Sequence, residues 1–501
     1  MMSEHQQISV SINSLMERSG VKFGTSGARG LADAMTDEVC YAYTLGFLGY
    51  LKECGEVEQG TQVAIAGDLR FSTPRIMQAV VAATVDMGCV PVNCGFIPTP
   101  AVALYGMSRG IPSIMVTGSH IPDDRNGIKF NKASGEILKP DEEAIRAQIV
   151  VLQGELFDQD GSRTGQMFLP EVEPLAADEY VRRYLDFYPS DSLKGRRIGL
   201  YQHSGVARDL LADILEGLGA EVVRLGRSEV FIPVDTEAVR PEDVELAAKW
   251  SWQEGLDALV STDGDADRPL VSDEKGKWLR GDIVGILCAR HLAIKTVATP
   301  VSSNSAVEKS GWFDAVKRTR IGSPYVIAAM QQALDAGAVG VAGYEANGGF
   351  LLADGISGAQ GILAPLPTRD AVIVILAVLI EAGEGPISDL LKQLPARYTC
   401  SDRIKDFPGE ISGARLAQLN TGSMETDSAA YTALFGEEFG RVASIDWTDG
   451  VRITLETEDV VHLRPSGNAP ELRCYTESAT FARAEQINRS CIRIMSRWRN
   501  G

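Results

Sequence analysis

No apolar run in these 501 residues reaches the roughly 18 needed to cross a bilayer. The N-terminus, MMSEHQQISVSINSL, lacks a basic stretch followed by an apolar one, so no secretion leader is expected. Cysteine is present without a pairing pattern: the eight are scattered, with no CxxC and no zinc-type spacing. That usage suits free thiols in a reducing cytoplasm, many of them in the core. Positive charge is short. Against 67 acidic residues stand 48 basic ones, a net charge of −19 and a pI near 4.8. This balance disfavours nucleic acid and anionic membrane as partners, since both reward basic surfaces. An anionic small molecule stays open, provided that local cations overcome the field.

What is there reads as α/β. Apolar content of 45% and charged content of 23% are those of a globular protein, and 501 residues exceed one ordinary core. QVAIAGDLR (62–70) reads as a strand running into a helix near 73–88, with VPVNCG next. PSIMVTGSH, RRIGLYQHSG (196–205), LDALVST (256–262) and AVGVAG (338–343) each end a strand at a polar loop. Val206, Leu210, Ile214 and Leu218 recur every four residues and predict one helical face, stopped at Gly219 before the strand EVVRL. The units starting near 60, 196 and 297 look alike. The tail differs: ASIDWTDGVRITLETEDVVHLRP predicts an antiparallel meander, closed by the helix ATFARAEQINRSCIRIMSRWR. With this net charge, the five arginines of that helix read as a solvated face. The expected architecture is three related mixed α/β domains (1–189, 190–296 and 297–400) and a smaller α+β C-terminal domain (401–501) around a central cleft.

Ligands of α/β sheets bind beyond the carboxyl ends of strands, so the polar loops there carry the functional reading. FGTSGARG (23–30) offers backbone N–H groups and the cation Arg29. VTGSHIPDDRNGIKF (116–130) gathers Ser119, His120, Asp123, Arg125, Asn126, Gly127 and Lys129. Ser-His adjacency suggests an activated nucleophile, yet neighbours on an extended backbone point to opposite sides. GxSxG is absent because Thr117 stands at its first glycine, which disfavours a hydrolase triad. STDGDADRPLVSDE (261–274) sets Asp263, Asp265 and Asp267 in i, i+2, i+4 order, suited to a hard divalent cation. Arg268 stands where an EF-hand needs glycine, and three carboxylates so close repel unless a cation joins them. In GYEANGGFLLAD (343–354), Glu345 and Asn347 suit hydroxyls of a polar ligand. RPSGNAPELR (464–473) brings Arg464, Ser466, Gly467, Asn468 and Arg473 around a turn, the chemistry of phosphate recognition.

In order and spacing these five loops resemble those of the α-D-phosphohexomutase family, over residues 23 to 478. The resemblance implies a phosphoserine at Ser119 and one Mg²⁺ held by Asp263, Asp265, Asp267 and a phosphoserine oxygen. It implies Lys129, Arg29 and His120 as catalytic partners, with Arg268 lining the site and Glu345 and Asn347 on the sugar. Arg464, Ser466, Gly467, Asn468 and Arg473 would hold the non-reacting phosphate. The implied enzyme interconverts mannose 6-phosphate and mannose 1-phosphate through a hexose 1,6-bisphosphate, which also serves as activator. Phosphoglucomutase or dual specificity is the alternative, phosphoglucosamine mutase fits less well, and a non-catalytic sugar-phosphate sensor or a phosphatase are the other classes. A monomer or homodimer is expected. The chain departs from the family's usual residues at Gly118, Ile121, Tyr344, Asn347, the Gly-Asn-Ala-Pro of the last loop, and Ser323. None of these is the nucleophile or one of the three aspartates.

Overall fold

A computed structural model describes residues 7–24, 27–153, 155–435, 439–466 and 470–500. QVAIAG forms the strand Gln62–Gly67, buried beyond its first residue as a strand covered on both faces should be. The helix Thr73–Asp86 follows, with Pro74 in its first turn, where a missing N–H costs nothing. Val90–Phe96 and Ser113–Val116 flank Gln62–Gly67 in parallel, and Arg125–Lys132 returns antiparallel to Ser113–Val116. Gly27–Leu31 then pairs with Arg125–Lys132, bringing Arg29 opposite Gly127 and Gly27 opposite Lys129.

The same order recurs twice. Arg197–Tyr201 lies between the parallel strands Glu221–Leu225 and Ala258–Thr262, and Pro269–Val271 returns antiparallel. Thr296–Pro300 lies between the parallel strands Ala315–Thr319 and Val341–Tyr344, and Phe350–Leu352 returns antiparallel, followed by Leu366–Asp370. In each unit the third parallel strand ends in a polar loop before the chain reverses. These loops are 117–124, 263–268 and 345–349. The likeness of the three units is therefore structural.

The last sheet is antiparallel throughout, in the order Tyr398–Ile404, Leu472–Ser478, Val460–Pro465, Val451–Leu455, Val442–Asp446. Tyr398–Ile404 spans the boundary expected near 400. The helix Phe481–Arg497 starts at Thr480, whose hydroxyl accepts from the Arg483 N–H, and buries Ala484, Ile487, Cys491 and Met495 as one stripe. Arg489 stays exposed and pairs with Glu485 one turn earlier, consistent with a solvated face. The helix expected from Val206 begins at Leu210 instead. The Val206 N–H donates to the Gly264 carbonyl at 3.0 Å, so a tertiary bond takes the place of the first helical turn. The longest apolar stretch, AVIVILAVLIEA, is the helix Ala371–Ala382, buried in the core shared by the α/β units. Among the described residues no helix is long and apolar enough to cross a membrane.

Candidate active site

The loops after Val116 and Thr262 meet face to face. Ser119 is fully buried and has φ +55°, a left-handed backbone uncommon for a residue with a side chain. Its N–H donates to Thr117 Oγ1 at 2.8 Å. Its hydroxyl donates to Asp263 Oδ2 at 2.6 Å. His120 Nδ1 lies 3.2 Å from the same Oγ. The expectation that Ser119 and His120 face apart fails because this backbone is not extended. Gly264 permits the approach of the two loops, since a Cβ there would lie 2.7 Å from the Ser119 carbonyl oxygen.

Asp263, Asp265 and Asp267 are fully buried, with ligand oxygens within 4.8 Å of one another. Asp265 Oδ1 and Asp267 Oδ1 are buried without a hydrogen-bond partner. An all-oxygen set with orphaned acceptors fits a hard divalent cation, and these residues could hold one. Burial, with repulsion from Asp265 and Asp267, pushes the Asp263 carboxyl well above the usual carboxylate range. A cation between the three would reverse that repulsion.

The protein supplies its own counter-charges. Lys129 Nζ donates to Asp265 Oδ2 and Asp267 Oδ2, both at 2.6 Å. Arg268 Nε lies 3.5 Å from Asp267 Oδ1 and 3.9 Å from Asp263 Oδ2. Against the cost of burial, Arg369, Lys129 and Arg268 hold the Asp267 carboxyl far below its ordinary value. Burial, then Arg268 and Arg369, lower the half-buried Arg29 guanidinium to about 10. Burial and the nearby charge of Arg268 push the His120 imidazole down to about 3, so it is neutral at pH 7.

Arg369 escaped the sequence reading. It donates from Nε to Asp267 Oδ2 at 3.0 Å and from Nη1 to Glu345 Oε2 at 3.2 Å. The available signal was its place at the end of the strand Leu366–Asp370, before a helix capped by Asp370. Thr99 was missed as well: its hydroxyl donates to Asp265 Oδ2 at 2.5 Å and its N–H to the Asp265 carbonyl at 2.9 Å.

A cavity of about 320 Å³ opens beside this cluster, lined by His120, Asp235, Glu237, Arg268, Arg403 and Arg473 among others. Its lining comes from the first, second and last units. Glu345 is turned to Arg369, and the Asn347 side chain accepts from the Gly349 N–H at 2.9 Å within its own turn. Arg464 donates to Asp449 Oδ1 at 2.9 Å, and the Ser466 N–H to the Glu471 carbonyl at 2.8 Å. Arg473 donates to Glu471 at 3.2 Å while lining the cavity. Gly467 and Asn468 lie outside the described residues.

A serine hydroxyl set against a buried aspartate triad, with lysine and arginine around it, has the alignment and neutralising charge that phosphoryl transfer asks for. Comparison with known proteins agrees. The α/β/α domains I, II and III of phosphoglucomutase/phosphomannomutase match residues 20–152, 178–276 and 280–398, so the chain belongs to that family. It is 46% identical over 470 residues to a phosphomannomutase of Sinorhizobium fredii, covering 93% of this chain and 97% of the relative. To a phosphomannomutase of Salmonella muenchen it is 45% identical over 469 residues, 93% of either chain. The crystal structure of a phosphoglucomutase/phosphomannomutase family protein from Burkholderia thailandensis shares the fold, with a TM-score of 0.71 at 19% identity over 95% of this chain and 97% of that one.

Proposed function

We propose that the chain is a phosphomannomutase, an isomerase that interconverts mannose 6-phosphate and mannose 1-phosphate with Ser119 as phosphoryl carrier. The observation that carries the reading is the Ser119 hydroxyl, 2.6 Å from Asp263 within the aspartate triad. The choice of mannose follows the two relatives, each about as similar as the other along nearly the whole chain.

Phosphoryl transfer asks for alignment and neutralised charge more than for covalent chemistry by the protein. In one half-reaction the bond from phosphorus to Ser119 Oγ breaks and a bond to the sugar's free hydroxyl forms. The hydroxyl's proton is released, and Ser119 regains one as its hydroxyl re-forms. Around Oγ, neutral His120 Nδ1 and Asp263 Oδ2 are the groups able to hold it. The bisphosphate then turns over, and its other phosphoryl group returns to Ser119. Without phosphate, Lys129, Arg268 and Arg369 face three aspartates. A phosphoserine adds about 1.5 to 2 negative charges, which is what calls for a cation. Asp263, Asp265, Asp267 and a phosphoserine oxygen would hold Mg²⁺, which when bound supplies Lewis-acid stabilisation of the transferring oxygens. Lys129 keeps the carboxylates in place and, with Arg29, favours an attacking oxyanion. Arg268 and Arg473 bind the substrate phosphate from the cavity wall, with Arg464, Ser466, Gly467 and Asn468 completing the grip. Glu345 and Asn347 face sugar hydroxyls once the site has closed over its substrate. The eight free cysteines fit a cytoplasmic enzyme, acting as monomer or homodimer with hexose 1,6-bisphosphate as activator.

The test is direct. Purified protein should carry a fraction heavier by one phosphate, absent in Ser119→Ala, and Ser119→Ala should lose turnover. Comparing kcat/KM for mannose 1-phosphate, glucose 1-phosphate and glucosamine 1-phosphate decides the hexose. Release of free sugar and inorganic phosphate instead of an isomer would make the protein a phosphatase.

A further inference from the structure

Arg70 ends QVAIAGDLR, a segment with no part in the chemistry above, and it is only 1% exposed. A guanidinium has five N–H donors in one plane, and here each has an acceptor. Nε donates to Asp68 Oδ2 at 3.1 Å. Nη1 donates to the carbonyls of Pro122 at 2.8 Å and Arg125 at 3.0 Å. Nη2 donates to those of Ser119 at 2.8 Å and Ile121 at 2.7 Å. Four of the five bonds therefore go to the backbone of the loop that carries the nucleophile, one of them to the nucleophile's own carbonyl.

The surroundings fix the guanidinium in turn. Asp68 is fully buried and accepts from Thr73 and Thr117 hydroxyls, both at 2.7 Å. Thr117 Oγ1 is the same atom that accepts the Ser119 N–H. The Phe231 ring, from the second unit, lies 3.9 Å from Arg70 Cζ. A Cβ at Gly118 would sit 2.6 Å from that Cζ, so glycine makes room for the plane.

We infer that Arg70 is a positioning residue for phosphoryl transfer: it clamps loop 119–125 so that Ser119 keeps its left-handed backbone and its hydroxyl stays on Asp263. The inference rests on Ser119 being the carrier. Arg70 acts through the loop: none of its hydrogen bonds given above goes to a lining residue of the cavity or to the aspartate triad. Lysine keeps the charge but has three donors in a tetrahedral array, and it cannot serve acceptors spread around a plane.

The experiment is Arg70→Lys, read by kcat, KM and the rate at which a hexose 1,6-bisphosphate phosphorylates Ser119, followed by intact mass. A displaced nucleophile should lower kcat and the phosphorylation rate together by about 10- to 100-fold, the scale of a misplacement of about 1 Å. KM should change less than kcat, because His120 is the one residue of the clamped loop that lines the cavity. A folded Arg70→Lys enzyme with wild-type kcat, or with its loss confined to KM, overturns the clamp. If Arg70→Lys does not fold, Phe231→Leu decides. Loss of the stacked ring should lower kcat by about two- to fivefold, and an unchanged kcat overturns the inference. Ser119→Ala separates the two ideas. If it stays active, the carrier reading fails and the clamp with it. If it is inactive while Arg70→Lys behaves as wild type, the clamp alone fails.

Discussion

Replacing Lys129 by methionine removes one buried cation from a cluster with little charge to spare. Lys129 is 4% exposed and bonds two carboxylates that are fully buried, at 2.6 Å each. Asp267 would keep Arg369 and Arg268, whereas the Asp265 carboxylate would keep only the Thr99 hydroxyl among the bonds described, the Thr99 N–H going to its backbone carbonyl. The charge left with the least compensation is therefore that of Asp265, which Arg29 and Arg369 still attract. Removing one partner of a buried pair costs about 3–5 kcal/mol, and that loss is expected in urea denaturation of Lys129→Met in chelator. Two responses should follow. Magnesium at about 100 times its Kd should return about 2.7 kcal/mol, because it binds the folded site only. Lys129→Met combined with Asp265→Asn should be more stable in chelator than Lys129→Met alone, since the unpaired charge is then gone. Turnover should fall in both variants. A single variant as stable as wild type in chelator, or a double variant less stable than the single, would refute the charge balance drawn here.

Arg473→Ala should lower kcat/KM by about 2–5 kcal/mol, chiefly through KM, while Arg464→Ala should cost less because Arg464 is held by Asp449; equal effects in initial-rate assays would contradict that ranking. Glu345→Ala should impair the forward and reverse reactions alike, since it removes one partner of Arg369 beside the triad and the sugar must present either end; a defect in one direction only would exclude this role. His203 and His462 are buried, each with an unpartnered Nδ1, and burial pushes each down to about 4. With unfolded values near about 6.5, the unfolded chain takes up protons first as pH falls. Stability from these groups is full above about pH 6.5 and is lost toward about pH 4, by on the order of 3 kcal/mol each. Denaturation midpoints measured across that window should fall, and His203→Asn with His462→Gln should flatten the slope. Parallel slopes would show that other groups govern it. Chelation should abolish turnover while leaving far-UV circular dichroism unchanged, and full activity in excess chelator would exclude a catalytic cation.

Sequence and tertiary structure divided the determination of this protein along a physical line. Spacing inside one loop is a local matter, and local matters were legible. Asp263, Asp265 and Asp267 in i, i+2, i+4 order after a strand already defined an oxygen-rich site, because a short turn brings such side chains together wherever it occurs. The repeated strand-loop pattern and the C-terminal meander were readable for the same reason: alternation and turn residues act over a few positions. What no local rule reaches is which distant groups share a buried volume. The Ser119 hydroxyl meets Asp263 across 144 positions, Lys129 meets Asp265 across 136, and Arg369 meets Asp267 across 102. Even adjacent Ser119 and His120 were set by a distant contact, because Arg70 bonds the backbone that turns them to one side. Burial removes water as the alternative partner, so each of these charges had to find its counterpart elsewhere in the fold. The sequence alone therefore determined which chemistry was available, and the packing of the four larger sheets decided which atoms would carry it.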